Sequence, residues 1–359
     1  MSDKGEIKHW SVDSSFKKDT SRKTTIGVRQ VAREAGLSTA TVSRALNNPQ
    51  SVSPAKRLRV QSAIEKLNYV PNAAARSLSL SRNQAIGAIL PTLDYSIYAQ
   101  FVEALQSRAG ELGYSVLLAT HGFNESRELA QARTLIGHGV EALALAGEKH
   151  SAELYALLKA RQIPYIHTSV FNDRSAHPCV GYDNYQIGRQ VTDYLLSLGH
   201  RHFSALIGKR SVNDRMVQRI TGMRDCLAEK GLSLLEDHIV ECPYAIGKAR
   251  EGLRELRLRS PQATAIICGN DVLAFGAILE AQAMNIRVPG DLSIVGNDDL
   301  ELASEINPTL TTVQIPVYRM GNETAEALVG RLTKQSPPLH VQIPINLILR
   351  QSTGTAPLS

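Results

Sequence analysis

The stretch VRQVAREAGLSTATVSRALN, residues 28–47, decides how the first part of this 359-residue chain folds. Its apolar residues recur at helical spacing on either side of Gly36, which is a natural stop for a helix. Ser38 follows and can cap a second helix, in which Val42 and Ala45 face inward. The pattern predicts two short helices joined by a tight turn, which is either a small helical filler or a device that reads DNA.

A third short helix is predicted directly after this pair. It begins after the segment SVS with Pro54 in its first turn, and Leu58, Ile64 and Leu67 are expected along its buried face. Three helices of this length enclose only a small core. We therefore expect a helix-turn-helix domain over residues 25–70.

Charge is distributed unevenly along the chain. Residues 1–80 carry 14 Lys and Arg against 6 Asp and Glu, whereas the whole chain carries 40 against 34. A basic module joined to a near-neutral body predicts a polyanionic partner, with nucleic acid the leading class. A solvated basic face is the alternative. Residues 1–24 show no apolar periodicity, so we expect a flexible basic arm there.

From residue 85 onward, short apolar strands alternate with amphipathic helices. AIGAILP, YSVLLAT, ALALAG and IPYIHTS have the pattern of strands, and the alternation resumes with HFSALIG, TAIICGND and LSIVGND. Repeated strand, helix, strand units predict parallel sheets flanked by helices. Two such runs predict an α/β domain of two lobes over residues 84–352, with a ligand cleft between the lobes and a short tail at 353–359.

Several function classes lack their sequence signals. The chain has no GxxxxGK, GxSxG or HExxH motif, so we expect no enzyme activity and no metal or cofactor. A sugar-binding protein used for uptake has a similar two-lobed plan, but a basic headpiece disfavours it. No secretory signal and no run of roughly 18 apolar residues is present, so a cytoplasmic protein is expected. The four cysteines are widely spaced and are expected to be reduced and mostly buried.

Motifs along most of the chain resemble one known family. The stretch at 28–47 is followed by VSPAKRLRVQSAIEKLNYVPNAAARSL, and later by LGHRH, CGNDVLAFGA, VPGDLSIVGNDD and PTLTTV. Together they are similar to the lactose/galactose repressor family, LacI/GalR, over residues 26–352. The resemblance implies a DNA-binding regulator, in most cases a repressor, controlled by a small molecule. Some members with similar sensing halves respond to sugar acids such as gluconate, so a sugar or sugar acid is the expected effector.

The second helix of the headpiece carries the expected base contacts. Its outer face is small and polar, and includes Ser38, Thr39, Ala40, Ser43 and Arg44. Ser38 and Ser43 can donate to phosphate oxygens, and Arg44 is long enough for a bidentate contact with guanine or a simple phosphate contact. The resemblance implies that Thr39 and Ala40 discriminate between operators.

Residues 71–83 are expected to form a hinge between the headpiece and the lobes. The resemblance implies that Tyr69 and Asn72 anchor the sugar-phosphate backbone. It also implies that a hinge helix forms when two copies meet on DNA, with Leu78 wedged into the minor groove. Packing within the linker is the alternative for Leu78. A two-fold operator requires paired headpieces, so a homodimer on palindromic double-stranded DNA is expected.

Four residues of the sensing half are candidates to contact the effector: the resemblance implies Tyr98, Arg219 and Asp271, and the loop position after a strand suggests His150. Arg219 and Asp271 can each bridge hydroxyl groups, although Arg219 could instead pair with an acidic neighbour and Asp271 could cap a helix. Tyr98 matches a position where a ring stacks on ligand, with core packing as the alternative. His150, in the loop GEKH, is either at the cleft border or on a surface loop. Whether Tyr244 replaces an aromatic residue that relatives place in the cleft is left open.

Overall fold

The computed structural model describes residues 26–70 and 83–357. The chain divides into two compact units, with the boundary between residues 82 and 83. The expected basic arm at 1–24 lies outside the described residues. So do Asn72, Leu78 and nearly all of the hinge segment 71–83.

Three helices build the first unit, in the places that the sequence predicts: α1 Val28–Ala35, α2 Thr39–Asn47 and α3 Pro54–Leu67. Gly36 ends α1 in the left-handed conformation, with φ 61°. Ser38 caps α2, because its Oγ accepts a hydrogen bond from the backbone N–H of Thr41 at 3.1 Å. The predicted stop and the predicted cap are both confirmed.

The core of this unit takes side chains from all three helices. Its buried members are Val31, Ala32, Ala35, Val42, Val60 and Ala63. Leu58, which we expected on the buried face of α3, is instead 71% exposed. The buried face runs through Val60, Ala63 and Ile64, at helical spacings of three and four, and Leu58 lies two positions before Val60. Two positions turn a helix by more than half a circle, so Leu58 points away from the core.

The second unit contains two parallel sheets, as the strand and helix alternation predicts, and a short two-stranded antiparallel sheet described below. The strands of the first are β1 Ala85–Leu90, β2 Ser115–Thr120, β3 Ala142–Ala146, β4 Tyr165–Thr168, β5 Cys179–Gly181 and β11 His340–Gln342, in the spatial order β11-β5-β4-β3-β1-β2. Those of the second are β6 Phe203–Ile207, β7 Ile239–Glu241, β8 Ala265–Cys268 and β9 Ser293–Val295, in the order β7-β6-β8-β9. All strand pairs in both sheets are parallel, which confirms the predicted fold class.

Helices cover the faces of these sheets. They are α4 Ser96–Glu111, α5 Glu125–Gly137, α6 Ala152–Arg161, α7 Asn184–Ser197, α8 Asp214–Ala228, α9 Ile246–Arg259, α10 Asp271–Ala283, α11 Leu302–Glu305 and α12 Val317–Leu332. The strands β1, β3, β6 and β8 are buried along their whole length, which is why they are continuous apolar runs in the sequence.

The chain connects the two sheets more than once. It passes from the first sheet to the second after β5 and returns through α12 to β11. It then forms β12, Asn346–Ile348, which pairs antiparallel with β10, Thr312–Gln314. Each of the two parallel sheets, together with its helices, therefore forms one lobe. Ligands of open parallel sheets bind outside the carboxyl ends of the strands, so the loops after the strands are the place to search for a site.

None of the helices described for residues 26–70 and 83–357 combines the length with the apolar composition that a membrane span requires. The four cysteines are buried, as expected, and none forms a disulfide within the part of the chain that the structure describes. Burial raises the pKa of the Cys242 thiol to about 11, so this thiol stays protonated at neutral pH. The same residues hold no group of three or more His, Cys, Asp or Glu side chains arranged to bind a metal ion.

Candidate DNA interface and ligand cleft

The first half of α2 presents a small, polar face at the surface of the headpiece. Thr39, Ala40 and Arg44 are exposed, and Ser43 is partly exposed. Positions 39 and 43, like positions 40 and 44, are four apart, so these side chains share one face of the helix. Arg44 Nε donates to the carbonyl of Ala40 at 3.3 Å, a local bond that a base or phosphate can replace.

The turn before α2 is tied to α3. Arg59 Nη2 donates to the carbonyl of Gly36 at 3.1 Å, and a Cβ on Gly36 would lie only 2.5 Å from that nitrogen. Val42 anchors α2 from below with no exposed surface. The polar face of α2 is therefore held rigidly on a unit whose described residues, 26–70, carry seven Lys and Arg against two Glu.

Three other predicted DNA-binding side chains have internal roles as well. Ser38 Oγ is the cap acceptor, and it lies 2.8 Å from the hydroxyl of Thr41. Ser43 Oγ accepts a hydrogen bond from Asn47 Nδ2 at 3.4 Å. Tyr69 packs partly against the headpiece core. A phosphate contact by either serine would therefore share a hydroxyl that already orders the helix.

A cleft lies at the carboxyl ends of the strands, and both lobes contribute to it. Its lining is aromatic, cationic and amide-rich, and includes Tyr95, Tyr98, Tyr182, Tyr244, Arg215, Arg219, Asn213, Asn270 and Asp298. These residues come from loops and helices that follow six different strands: β1, β5, β6, β7, β8 and β9. The position of the cleft is the one that parallel sheets favour.

Tyrosines from the two lobes meet across this cleft. The ring centroids of Tyr95 and Tyr244 are 5.0 Å apart with an interplanar angle of 78°, and Tyr98 lies 6.2 Å from Tyr95. Asn213 Nδ2 donates to the Tyr244 hydroxyl at 3.2 Å. Burial raises the pKa of Tyr182 to about 12, so this phenol stays neutral and can donate a hydrogen bond. Such rings offer flat apolar surfaces with polar rims, which suit sugar rings.

Arg215, at the start of α8, is 6% exposed and pairs with Asp214 at 3.1 Å. Burial acts to lower the pKa of Arg215, but the charges of Tyr98 and Asp214 outweigh it and raise that pKa. The Asp214 carboxylate also accepts hydrogen bonds from the backbone N–H groups of Glu148 and Lys149, in the first lobe. One carboxylate thus joins the two lobes and orients the cleft arginine.

Arg219, one turn further along α8, is also 6% exposed. Its Nε donates to Asn184 Oδ1 at 3.0 Å, and its Nη1 donates to the carbonyl of Gly269 at 2.8 Å. Within the described residues these bonds leave its Nη2 for a ligand. The guanidinium is therefore preorganised, because two neighbours fix its plane before any ligand arrives.

Two aspartates follow β8 and β9, and the structure separates their roles. Asp271 is fully buried and accepts hydrogen bonds from the hydroxyl of Thr312 and the backbone N–H of Leu300. It is not among the described residues that line the cleft, whereas Asp298 is. Burial, reinforced by the charge of Asp271, raises the pKa of Asp298 to about 8. Asp298 also has φ 125°, a costly conformation for a residue with a side chain and one that clusters at functional sites.

Sequence comparisons agree with this architecture. Residues 28–72 match the family of bacterial regulatory proteins named lacI, and residues 192–353 match a periplasmic binding protein-like domain. The HTH-type transcriptional regulator GntR of Escherichia coli is 30% identical over 309 residues, which cover 86% of this chain and 92% of that protein. The chain belongs to the LacI family.

Solved structures of LacI-family proteins have the same fold. One such structure is the Lac repressor dimer bound to operator and the anti-inducer ONPF, whose sequence is 25% identical to this chain. The match covers 92% of this chain and 99% of the Lac repressor chain, with a TM-score of 0.82. The complex of the transcriptional regulator CelR with cellobiose is 27% identical over 91% of this chain and 99% of its own, with a TM-score of 0.68. The protein is thus a DNA-binding transcriptional regulator with an effector-binding domain, and its relatives are regulators rather than enzymes.

The LacI-family cleft contains only part of the predicted effector set. Tyr98 and Arg219 line it, and so does Tyr244, which the sequence left open. His150 and Asp271 lie outside the lining that the described residues form. His150 is instead held by Glu128 at 3.0 Å. The contacts of Asp271 match the structural alternative considered for it. Its hydrogen-bond partners are a loop residue, Leu300, and a strand residue, Thr312, rather than the start of its own helix.

Sequence reasoning missed two charged residues of the cleft, Arg215 and Asp298. Arg215 lies one helical turn before Arg219, so the spacing on α8 was a usable signal. Asp298 follows a predicted strand in the segment LSIVGNDD, as Asp271 does in TAIICGND. Position after a strand alone does not tell which of the two carboxylates turns towards the ligand.

Proposed function

We propose that the protein is a repressor that binds a palindromic operator as a homodimer, and that a sugar or sugar acid in the cleft controls its affinity for that operator. The exposed polar face of α2 on a basic, rigid headpiece is the observation that carries this proposal. Thr39, Ala40 and Arg44 supply the base contacts, with Ser38, Ser43 and Tyr69 at the backbone. The Lac repressor neighbour was solved as a dimer on operator, which supports the same assembly here.

The hinge completes the DNA-binding surface of this proposal. Asn72 contacts the backbone, and Leu78 enters the minor groove when residues 71–83 of two copies meet on DNA. A short helix of this composition is marginal alone and gains its partners only on the operator. An apolar side chain that pries a base step apart bends the duplex and buries more protein surface.

The cleft chemistry supports a sugar acid ahead of a neutral sugar. Arg215 and Arg219 are buried cations, and Asp214 balances only one of them. Because the pKa of Asp298 is raised to about 8, that carboxyl group is mostly protonated at neutral pH. One positive charge is therefore left for a ligand carboxylate, while Tyr98 and the other tyrosines cover the apolar face of a sugar chain. The cellobiose complex of the CelR relative supports carbohydrate as the class.

Operator selection tests the DNA-binding half. The full-length protein is used to enrich binding sequences from a random DNA library. Its affinity for the most enriched sequence and for a scrambled duplex is then measured by fluorescence anisotropy at two salt concentrations. We expect a palindromic winner whose affinity falls steeply with salt. Exchanging Thr39 and Ala40 should change the selected sequence. An unchanged sequence preference would remove α2 from the role of recognition helix.

A ligand screen tests the sensing half. Thermal unfolding is followed with D-gluconate, D-glucose, cellobiose, phosphorylated sugars and purines, and each compound that stabilises the protein is then added to the operator-binding assay. A ligand that binds the folded state raises the melting temperature by mass action. Stabilisation by sugar acids with a change in operator affinity is the expected result. Stabilisation by purines alone contradicts the proposed effector class.

A further inference from the structure

A second cavity adjoins the ligand cleft and shares Arg215 with it. It is a small, partly enclosed space whose lining includes His121, Phe123 and Glu128 from the first lobe and Asp214 and Arg215 from the second. We name it the histidine chamber. None of its first-lobe residues belongs to the effector set considered above.

His121 is the unusual member of the histidine chamber. Only 8% of its surface is exposed, yet neither Nδ1 nor Nε2 has a hydrogen-bond partner among the described residues. A buried imidazole nitrogen without a hydrogen bond is energetically costly. Burial lowers the pKa of His121, so the ring is neutral and offers one N–H donor and one nitrogen acceptor. A ring of this kind is ready for a group that both accepts and donates.

Glu128 supplies the complementary oxygen. It is 3% exposed, and His150 Nδ1 lies 3.0 Å from both of its carboxylate oxygens. The other nitrogen of His150 is 3.2 Å from the carbonyl of Gly147. His150 is therefore a positioning residue: it fixes the Glu128 carboxylate and leaves the remaining lone pairs of that carboxylate for the chamber.

The distance between these two groups selects the ligand atom. His121 Nε2 and Glu128 Oε1 are 3.9 Å apart, too far for a direct hydrogen bond. A single hydroxyl oxygen at about 2.8 Å from each atom satisfies both, since it accepts from the ring N–H and donates to the carboxylate. Phe123 lies beside His121, with ring centroids 6.3 Å apart, and offers an apolar surface to the carbon that bears the hydroxyl.

We infer that the histidine chamber is a second subsite of the effector cleft, which binds a hydroxyl group of an elongated polyhydroxylated ligand between His121 and Glu128. The inference rests on the proposed function, because it extends the same cleft. Arg215 stands at the junction, so a ligand whose charged end meets the arginines can extend its hydroxyl-bearing end into the chamber. The chamber then selects ligands by their length, and the two arginines select them by their charge.

Calorimetric titration of the full-length protein tests this inference. The probes are D-gluconate, D-glucose and cellobiose, and the variants are His121→Phe, His121→Gln and Glu128→Gln. His138→Phe is the matched control, because His138 is exposed just after α5 in the same lobe. We expect His121→Phe and Glu128→Gln to weaken binding of the responding probe about 10-fold or more. His121→Gln, which keeps a donor and an acceptor, should recover most of that affinity.

The remaining outcomes are decisive as well. If a probe binds the wild type and both His121→Phe and Glu128→Gln bind it equally well while remaining folded, the chamber holds water only and the inference is overturned. If no probe binds the wild type, the proposed effector class fails and the inference fails with it. Operator binding, measured separately on the same variants, still reports on the regulator role, so the failures are distinguishable. A thermal unfolding scan identifies any variant that does not fold.

Discussion

The two units of this protein hold their working side chains in opposite ways. In the headpiece, Thr39, Ala40 and Arg44 lie in solvent on one helix face and contribute little to the core beneath them. In the cleft, Arg215 and Arg219 are 6% exposed, and neighbours already engage their guanidinium groups. DNA can be met by a surface that folding leaves free. A small ligand needs groups that are fixed in advance, so its binding and the stability of the lobes share the same residues.

The largest effect is expected from the shared residues. Replacing Arg219 by Met keeps the aliphatic stem but leaves Asn184 Oδ1 and the carbonyl of Gly269 without this donor. Each buried unsatisfied oxygen costs about 1–3 kcal/mol, and the ligand loses a preorganised cation, so effector affinity should fall by about 100-fold. Thermal unfolding and calorimetry measure the two losses together. Arg174→Met, at an exposed site, is the control, and the operator preference of both variants should match the wild type.

Unchanged unfolding of Arg219→Met would break the comparison between the units. It would mean that the contacts of Arg219 do not support the folded cleft, and that the cleft behaves like the surface of the headpiece. A loss of stability without a loss of effector affinity would instead leave Arg219 as a purely structural residue. Both results can be read from the same two experiments.

A smaller effect is expected from the exposed face of α2. Arg44→Ala should weaken binding to the selected operator by about 10-fold, since one good side-chain contact to a base is worth about 1–3 kcal/mol. Unfolding should not change, because Arg44 is exposed and its hydrogen bond lies within its own helix. Fluorescence anisotropy with the selected and the scrambled duplex separates a base contact from a phosphate contact. An equal loss on both duplexes assigns Arg44 to a phosphate rather than a base.

Asp298 predicts a pH dependence that the headpiece does not share. A carboxyl group with a folded pKa of about 8 and an ordinary unfolded pKa binds more protons in the folded state. The stability that this group contributes is then fully present below about pH 4 and is lost progressively as the pH rises towards 8 and slightly beyond. Asp298→Asn removes this loss. The melting temperature of the variant relative to wild type should therefore increase between pH 6 and pH 9.

The same ionisation should weaken the binding of an anionic effector. Above pH 8 the cleft gains a negative charge beside Arg219, so the affinity for D-gluconate should fall between pH 7 and pH 9 in the wild type and stay nearly constant in Asp298→Asn. Asp271→Asn provides the contrast, because Asp271 does not line the cleft. Burial raises the pKa of Asp271 only to about 6, so this group is already ionised at pH 7, and Asp271→Asn should leave the fall in D-gluconate affinity between pH 7 and pH 9 as it is in the wild type. A parallel pH profile in Asp298→Asn and wild type would contradict the assignment.

The sequence predicts these two units with unequal success, for a physical reason. Gly36 and Ser38 form hydrogen bonds with residues three or four positions away, so their roles can be deduced from the local pattern. Asp271 and Asp298 both follow a strand and share similar flanking residues, but their surroundings come from Thr312, Leu300 and the opposite lobe. Which carboxylate reaches the cleft depends on contacts that are distant in sequence. Leu58 shows that even a local prediction fails when a residue is assigned to the wrong helical face.

The smallest effect is expected at Ser38, which both caps α2 and is proposed to contact the DNA backbone. Substitutions at this position can separate its contribution to headpiece stability from its contribution to DNA binding. Ser38→Ala removes the cap of α2 and should destabilise the headpiece by about 1 kcal/mol. Hydrogen exchange at residues 39–47, followed by mass spectrometry in the full chain, measures that loss. Ser38→Asp restores a capping oxygen but places a negative charge beside the DNA backbone. It should protect these amides as the wild type does while weakening operator binding, whereas equal operator binding by the two variants would confine Ser38 to capping.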